Sequence, residues 1–205
     1  MIPLYVKYMS EITQDLPALR MWRPNVPIPA AELPSGYHIR PLNDNEGESW
    51  CLCLLNDMGV NEISQQLFMN KMLDDPSVPQ GSILCVEDMN GMPVATATAQ
   101  LKDGKTAQLH MVGAREDARG KGLGFAVCAA VLTKHYEDGF YECFLTTHDW
   151  RLPALKHYIK LGFIPILNHE SVRSRWGKIL KILDISSVGC VNEDLSFAEN
   201  ITADE

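Results

Sequence analysis

The fold is decided by the stretch Gln108-Leu-His-Met-Val-Gly-Ala-Arg-Glu-Asp-Ala-Arg-Gly-Lys-Gly-Leu-Gly124. Its first part, residues 108–114, is mostly apolar and predicts a strand. A basic glycine loop, residues 119–124, follows. Residues 125–136 then carry apolar side chains at helical spacing, and Gly139 suits the end of that helix. The stretch therefore predicts a strand, a glycine loop and a helix in direct succession.

A glycine loop at the start of a helix suits an anion. Glycines let the backbone approach a phosphate closely and adopt dihedral angles that a Cβ atom disfavours. The first N–H groups of a helix lack an intrahelical partner, and the helix dipole favours negative charge there. Arg119 and Lys121 add two cations. We therefore expect the loop to bind a pyrophosphate.

Two common phosphate-binding motifs do not match this loop. A Walker A loop requires G-x-x-x-x-G-K-[ST], but Arg115 stands at its first position and Gly122 follows Lys121. A Rossmann fingerprint requires G-x-G-x-x-G, but counting from Gly120 places Phe125 at the sixth position. Nucleotide-binding folds of these two kinds are therefore disfavoured.

Two signatures together resemble a known family. Residues 119–124 have the pattern R-x-x-G-x-G, which resembles the acyl-CoA loop of the GCN5-related N-acetyltransferase (GNAT) family. Further on, the family's A-x-x-x-Y-x-x-x-G-F signature is matched by Ala154, Tyr158, Gly162 and Phe163. Two signatures in the family's order are more specific than either alone, and the resemblance covers residues 36–168.

Turn and periodicity signals predict the family's order of elements. From residue 37 onward we expect a strand, two helices, three antiparallel strands, a helix, a strand, a helix and a strand. Asn90-Gly91 and Asp103-Gly104 mark two hairpin turns. The expected ranges are 37–42, 46–58, 64–73, 82–87, 94–102, 106–114, 125–136, 141–147, 152–161 and 163–167. The expected fold class is α/β (α+β): a GNAT fold with a mixed, mostly antiparallel central sheet flanked by helices.

The expected organisation is one domain with two extensions. Residues 1–35 are rich in proline and are interpreted as an extended arm or a partly disordered leader, with a short strand at residues 4–9. Residues 36–185 form the GNAT domain, which ends in a helix after Ser171. That helix has an apolar stripe and a basic face, interpreted as solvated rather than phosphate-binding, with Arg173, Arg175, Lys178 and Lys181. Residues 186–205 are expected to be a mobile acidic tail.

Composition and charge exclude several function classes. The chain has 205 residues, 46% of them hydrophobic, and a formal net charge of −8. An acidic protein is a poor general binder of nucleic acid or of membrane surfaces, because phosphate binding needs a positive field. The sequence shows neither a secretion signal nor an apolar run of membrane-spanning length.

The six cysteines predict a reducing compartment. They stand mostly in apolar runs without the spacing of zinc ligands, at positions 51, 53, 85, 128, 143 and 190. We expect reduced, buried thiols, no metal site and a cytoplasmic location.

The resemblance implies a cofactor and the residues that hold it. The acyl donor would be acetyl-CoA, whose pyrophosphate would be bound by Arg119, Gly120, Lys121, Gly122, Leu123 and Gly124. The end of the preceding strand would pair with the pantetheine amides in a strand-like way, through Val112, Gly113 and Ala114. At the position where many relatives have a cofactor-binding asparagine, this chain has Arg151, and Arg151 or Asp149 is a candidate substitute.

The resemblance also implies a general acid, whereas the base stays open. Tyr158 matches the family's usual acid, and a phenol with a pKa near 10 is protonated at pH 7 and can donate to a leaving thiolate. The histone-type branch has a glutamate where this chain has Gln108, which cannot serve as a base. His110 lies two residues on, hence on the same strand face, and is the candidate base. Deprotonation through water without a single base is the alternative.

The expected function is transfer of an acetyl group to a primary amine. A small-molecule amine is preferred to a protein as acceptor, and a homodimer is considered. A catalytically silent acyl-CoA sensor or scaffold of the same fold is the alternative. His148 and Asp149 resemble half of a hydrolase relay, but no exposed nucleophile accompanies them.

Overall fold

The computed structural model of the chain describes residues 16–203. The predicted strand at residues 4–9 lies outside the described residues. The elements, in chain order, are β1 (Leu19–Arg23), β2 (His38–Pro41), α1 (Gly47–Leu54), α2 (Gln65–Phe68) with a π-helical turn (Met69–Leu73), β3 (Ile83–Glu87), β4 (Pro93–Lys102), β5 (Thr106–Ala114), a 3₁₀ turn (Glu116–Ala118), α3 (Leu123–Glu137), β6 (Cys143–Thr147), α4 (Leu152–Lys160), β7 (Ile164–Pro165), α5 (Val172–Leu183), β8 (Ser187–Val191) and β9 (Phe197–Thr202).

Residues 27–143 form one compact unit, here called the four-strand unit. Its strands lie in the order β2-β3-β4-β5, and each is antiparallel to its neighbour. The predicted Asp103-Gly104 turn is confirmed, because both residues have the positive φ that a tight hairpin requires, 53° and 65°. Helix α3 packs against β3, β4 and β5, and α1 packs against β4 and β5.

The core of the four-strand unit lies between α1, α2 and the strands. Its largest side chains are Trp50 and Phe68, whose ring centroids are 5.3 Å apart. Ser64 caps α2, because its Oγ accepts a hydrogen bond from the backbone N–H of Leu67 at 3.2 Å. Phe68 is 1% exposed and belongs to the core, whereas Met69 after it is 37% exposed.

Residues 16–26 and 144–203 form a second compact unit, here called the terminal unit. Its strands lie in the order β6-β1-β7, and β1 pairs antiparallel with β7 at Met21↔Pro165. The apolar stripe predicted for α5 is confirmed, since Trp176, Ile179 and Leu180 are fully buried. Part of the predicted proline-rich arm is therefore a paired strand of this unit.

The prediction of a mobile acidic tail at residues 186–205 is wrong for residues 187–202. Strands β8 and β9 form an antiparallel hairpin there, with Val188 paired to Ile201. Both side chains are buried, at 7% and 0% exposure. The hairpin forms because alternate apolar residues of its strands reach the core. Of its acidic residues, Glu193 and Asp194 occupy the turn and Glu199 pairs with Arg173 of α5.

The six cysteines are all buried and free of disulfide bonds. Burial raises the pKa of Cys85 to about 11 and that of Cys53 to about 12. These thiols therefore stay protonated and pack as small apolar groups. The prediction that the thiols are buried is confirmed.

The fold class is confirmed as α/β, with a mixed, mostly antiparallel sheet flanked by helices. Within residues 16–203, no helix combines the length and the apolar character needed to cross a membrane.

Candidate active site

Strand β5 carries a bulge just before the residues predicted to pair with pantetheine. His110 lies opposite Thr98, whereas Gly113 lies opposite Thr96, so two residues of β5 face the single Ala97. The bulge is accommodated at Met111, whose φ is 46°. Because opposite residues of a strand pair point to the same face, Gly113 shares a face with His110.

Gly113 lies against the last turn of α1. A Cβ atom at this position would stand 2.5 Å from the backbone oxygen of Cys53 and 2.5 Å from Cδ2 of Leu54. Only glycine therefore lets the end of β5 pass so close to α1. The predicted cofactor-pairing segment, Val112 to Ala114, is only partly buried.

The glycine loop joins β5 to α3 in the predicted order. Gly120 and Gly122 have φ values of 78° and 79°, and a Cβ atom at either would meet nothing within 4 Å. Helix α3 begins after Gly122 without a side-chain cap, and Leu123 at its start is buried. The loop thus offers open space beside backbone N–H groups that no side chain caps.

Among the described residues, the two cations of the loop donate hydrogen bonds to neutral oxygen atoms. Arg119 Nε donates to the backbone oxygen of Ala114 at 3.2 Å. Lys121 Nζ lies 3.0 Å from Oη of Tyr37. Arg115, in contrast, is paired with Asp117 at 2.9 Å. Within residues 16–203, neither loop cation has a carboxylate partner, so the residues of the loop fit a pyrophosphate.

His110 is half-buried within a polar strip on β4 and β5. Thr98 lies opposite His110, and Gln100 lies opposite Gln108. Gln100 Nε2 donates to Ser77 Oγ at 2.7 Å. Burial is the main cause that lowers the pKa of His110; Lys102 and Lys71 lower it further and Asp75 opposes them. His110 is therefore mostly neutral at pH 7, as a base must be.

Tyr158 lies in the terminal unit, on α4. Its side chain is 5% exposed, and its ring contacts that of Phe163 edge to face, with centroids 6.0 Å apart. Gly162 between them has a φ of 90° and ends the helix as predicted. The four-strand unit thus holds the loop, the end of β5 and His110, while Tyr158 belongs to the other unit.

Asp149 has a role that sequence reasoning missed. It is 1% exposed and accepts a hydrogen bond from Arg175 Nε at 2.9 Å, with a second contact to the same guanidinium. Arg175, predicted to lie on a solvated face, is itself buried and also donates to the backbone oxygen of Pro17 at 2.9 Å. Both carboxylate oxygens of Asp149 are therefore bound by Arg175 within the core of the terminal unit. The contact between Tyr37 and Lys121 was not predicted either, because no local sequence signal links two residues 84 positions apart.

The described residues contain no group of three or more His, Cys, Asp and Glu side chains that could hold a metal ion. His148 stacks on Trp150, with ring centroids 4.2 Å apart.

Comparison with known proteins points to one family. The sequence model described as Acetyltransferase (GNAT) family matches residues 46–163, more than half of the chain. No curated protein matches the sequence.

Solved structures show the same fold at low sequence identity. A GCN5-related N-acetyltransferase from Sphaerobacter thermophilus is 20% identical with a TM-score of 0.56, over 73% of this chain and 49% of that one. A GNAT acetyltransferase from Novosphingobium aromaticivorans is 16% identical with a TM-score of 0.53, over 72% and 59%. A transcriptional regulator from Bacillus halodurans is 19% identical with a TM-score of 0.52, over 65% and 95%.

The chain therefore covers only about half to three fifths of the first two of these structures. The matched sequence model nevertheless includes the glycine loop, the whole of α3 and the Tyr158 signature. On this evidence the chain belongs to the GNAT family of acetyltransferases.

Proposed function

We propose that the chain is an N-acetyltransferase that moves the acetyl group of acetyl-CoA to a primary amine of a small molecule. The observation that carries this proposal is the open loop at the start of α3. Two glycines in left-handed conformation leave space there, and the two loop cations, Arg119 and Lys121, have no carboxylate partner within residues 16–203. Such a loop can surround a pyrophosphate with backbone N–H groups and positive charge.

In this proposal each side chain has one task. His110 takes a proton from the acceptor amine, directly or through a water molecule, so that the nitrogen lone pair can attack the thioester. Tyr158 donates a proton to the sulfur that leaves. The partly buried segment from Val112 to Ala114 would orient the pantetheine amides. The roles of Tyr158 and of the β5 segment rest on the family signature.

The loop is tested by calorimetry with Gly122→Glu. We expect wild-type protein to bind acetyl-CoA and the variant to lose at least about tenfold in affinity, because a carboxylate would repel the phosphates at short range. The control is Gly139→Glu at the other end of α3. Gly139 also has a positive φ, 88°, with nothing within 4 Å of an added Cβ atom, so both variants carry the same backbone strain. Equal affinities for the two variants would contradict the loop assignment.

The proposed base predicts the pH dependence of turnover. Because the pKa of His110 is lowered, its neutral form persists below the ordinary value near 6.5, and we expect the acid limb of kcat/KM below that pH. Asp75 raises the pKa of His110, so Asp75→Asn should move this limb to still lower pH. Turnover is measured as thiol release between pH 5 and 8. If Asp75→Asn and His110→Gln both leave the acid limb unchanged, His110 is excluded as the general base.

The second candidate function is an acyl-CoA sensor without turnover. It is favoured by Gln108, an amide that is 7% exposed and cannot accept a proton usefully. Thiol release with any amine from a panel of diamines, amino sugars and arylamines would exclude the sensor. Binding of acetyl-CoA without turnover would favour it.

A further inference from the structure

The side chains of Tyr37 and Lys121 are in contact at one end of the strands of the four-strand unit. Tyr37 immediately precedes β2. Because the strands from β2 to β5 pair antiparallel in succession, the start of β2 and the end of β5 lie at the same end of the strands. The Lys121 ammonium lies 3.0 Å from Tyr37 Oη and 5.6 Å from the centre of the ring. A residue 84 positions away in sequence therefore contacts the glycine loop.

The chemistry of the two groups fixes the direction of this hydrogen bond. An ammonium has three N–H donors and no lone pair, so Lys121 donates and the phenol oxygen of Tyr37 accepts. The phenol thus keeps its own O–H. Across residues 16–203, that O–H and the remaining N–H groups of Lys121 have no acceptor. The pair therefore offers several donors and one positive charge in a single place.

We propose that Tyr37 and Lys121 together bind a phosphate group of the CoA cofactor, with the Tyr37 O–H donating to a phosphate oxygen. This inference rests on the proposed function. The Tyr37 ring also restricts the long Lys121 side chain before the ligand arrives, which reduces the entropy lost on binding. The pyrophosphate and the ribose 3′-phosphate offer the same chemistry to these donors.

Calorimetry of the full chain with acetyl-CoA tests the proposal. Tyr37→Phe should bind about five- to tenfold more weakly than wild type, because a hydrogen bond to a charged group is lost. Its unfolding temperature without ligand should not change, because phenylalanine keeps the ring beside Lys121. Tyr141→Phe is the matched control, since Tyr141 is 51% exposed in the same unit and its ring packs against that of Tyr136 with centroids 5.1 Å apart. It should bind like wild type.

A second titration with 3′-dephospho-acetyl-CoA identifies the phosphate. If Tyr37→Phe weakens binding of this analogue equally, the pair binds the pyrophosphate; if the effect vanishes, it binds the 3′-phosphate. Either result supports the inference. If wild type and Tyr37→Phe bind acetyl-CoA equally, the inference is overturned while the proposed function stands. If wild-type protein does not bind acetyl-CoA, the proposed function fails first.

Discussion

Replacing Asp149 with alanine is expected to lower the free energy of unfolding by about 3–5 kcal/mol. The variant leaves the guanidinium of Arg175 buried, at 5% exposure, without its carboxylate. Removing one partner of a buried ion pair costs more than the pair itself contributes, because the remaining charge has lost both water and its counterion. Chemical denaturation followed by circular dichroism measures the change.

Two controls define the origin of that loss. Asp117→Ala breaks the pair with Arg115, but Asp117 has a side chain that is 67% exposed, so we expect a loss of only about 0–1 kcal/mol. The double variant Asp149→Leu/Arg175→Met removes both buried charges and should recover much of the stability lost by Asp149→Ala. If Asp149→Ala costs no more than Asp117→Ala, the buried pair does not stabilise the terminal unit.

Replacing Tyr158 with phenylalanine is expected to lower kcat by about 10²–10⁴-fold, the usual contribution of a positioned proton donor. The substitution keeps the aromatic ring and its contact with Phe163. Because only the phenolic proton is removed, we expect acetyl-CoA affinity to remain close to that of wild type. Thiol release under saturating amine gives kcat, and calorimetry gives the affinity.

The matched control for this variant is Tyr136→Phe. Tyr136 lies on α3 with 53% exposure, so its hydroxyl is available to solvent and should not affect turnover. The unfolding temperature of Tyr158→Phe reports any structural effect separately. A kcat within about twofold of wild type would mean that solvent, rather than Tyr158, protonates the leaving thiolate.

The part of the fold around the glycine loop is predictable because its signals are local. Strand β5 has the predicted range Thr106–Ala114, and α3 begins at Leu123, two residues before the predicted start at Phe125. Turn residues, apolar periodicity and helix-end glycines act over a few positions, so they can be recognised in sequence.

The buried ion pair is not predictable in this way. Arg175 stands on a helix with three other basic residues, which is typical of a solvated face. Its partner Asp149 is 26 positions away and lies just after β6. Burial of the guanidinium follows only from how α5 packs within the terminal unit, and sequence periodicity does not contain that information.

The hairpin of β8 and β9 was not predicted because the acidic composition of the segment was given more weight than the alternation of its apolar residues. Residues 186–205 contain no lysine or arginine and several acids, which favours disorder. Yet Val188, Cys190 and Ile201 are buried, and Glu199 pairs with Arg173 of α5. Three apolar side chains at strand spacing are enough to fix the hairpin because the terminal unit supplies the surface that they contact.

The bulge at Met111 has a consequence for transferring residue roles between relatives. Before it, every second residue of β5 points to the α1 face; after it, the alternation is inverted, so that Gly113 rather than Val112 continues the face of His110. An ungapped alignment with an unbulged relative would place each side chain from Val112 to Ala114 on the wrong side of the sheet. An alignment with such a relative should therefore contain a one-residue gap at Met111. Mutations copied from it should be placed at the residue whose side chain points to the same face of the sheet, not at the residue with the same offset in sequence.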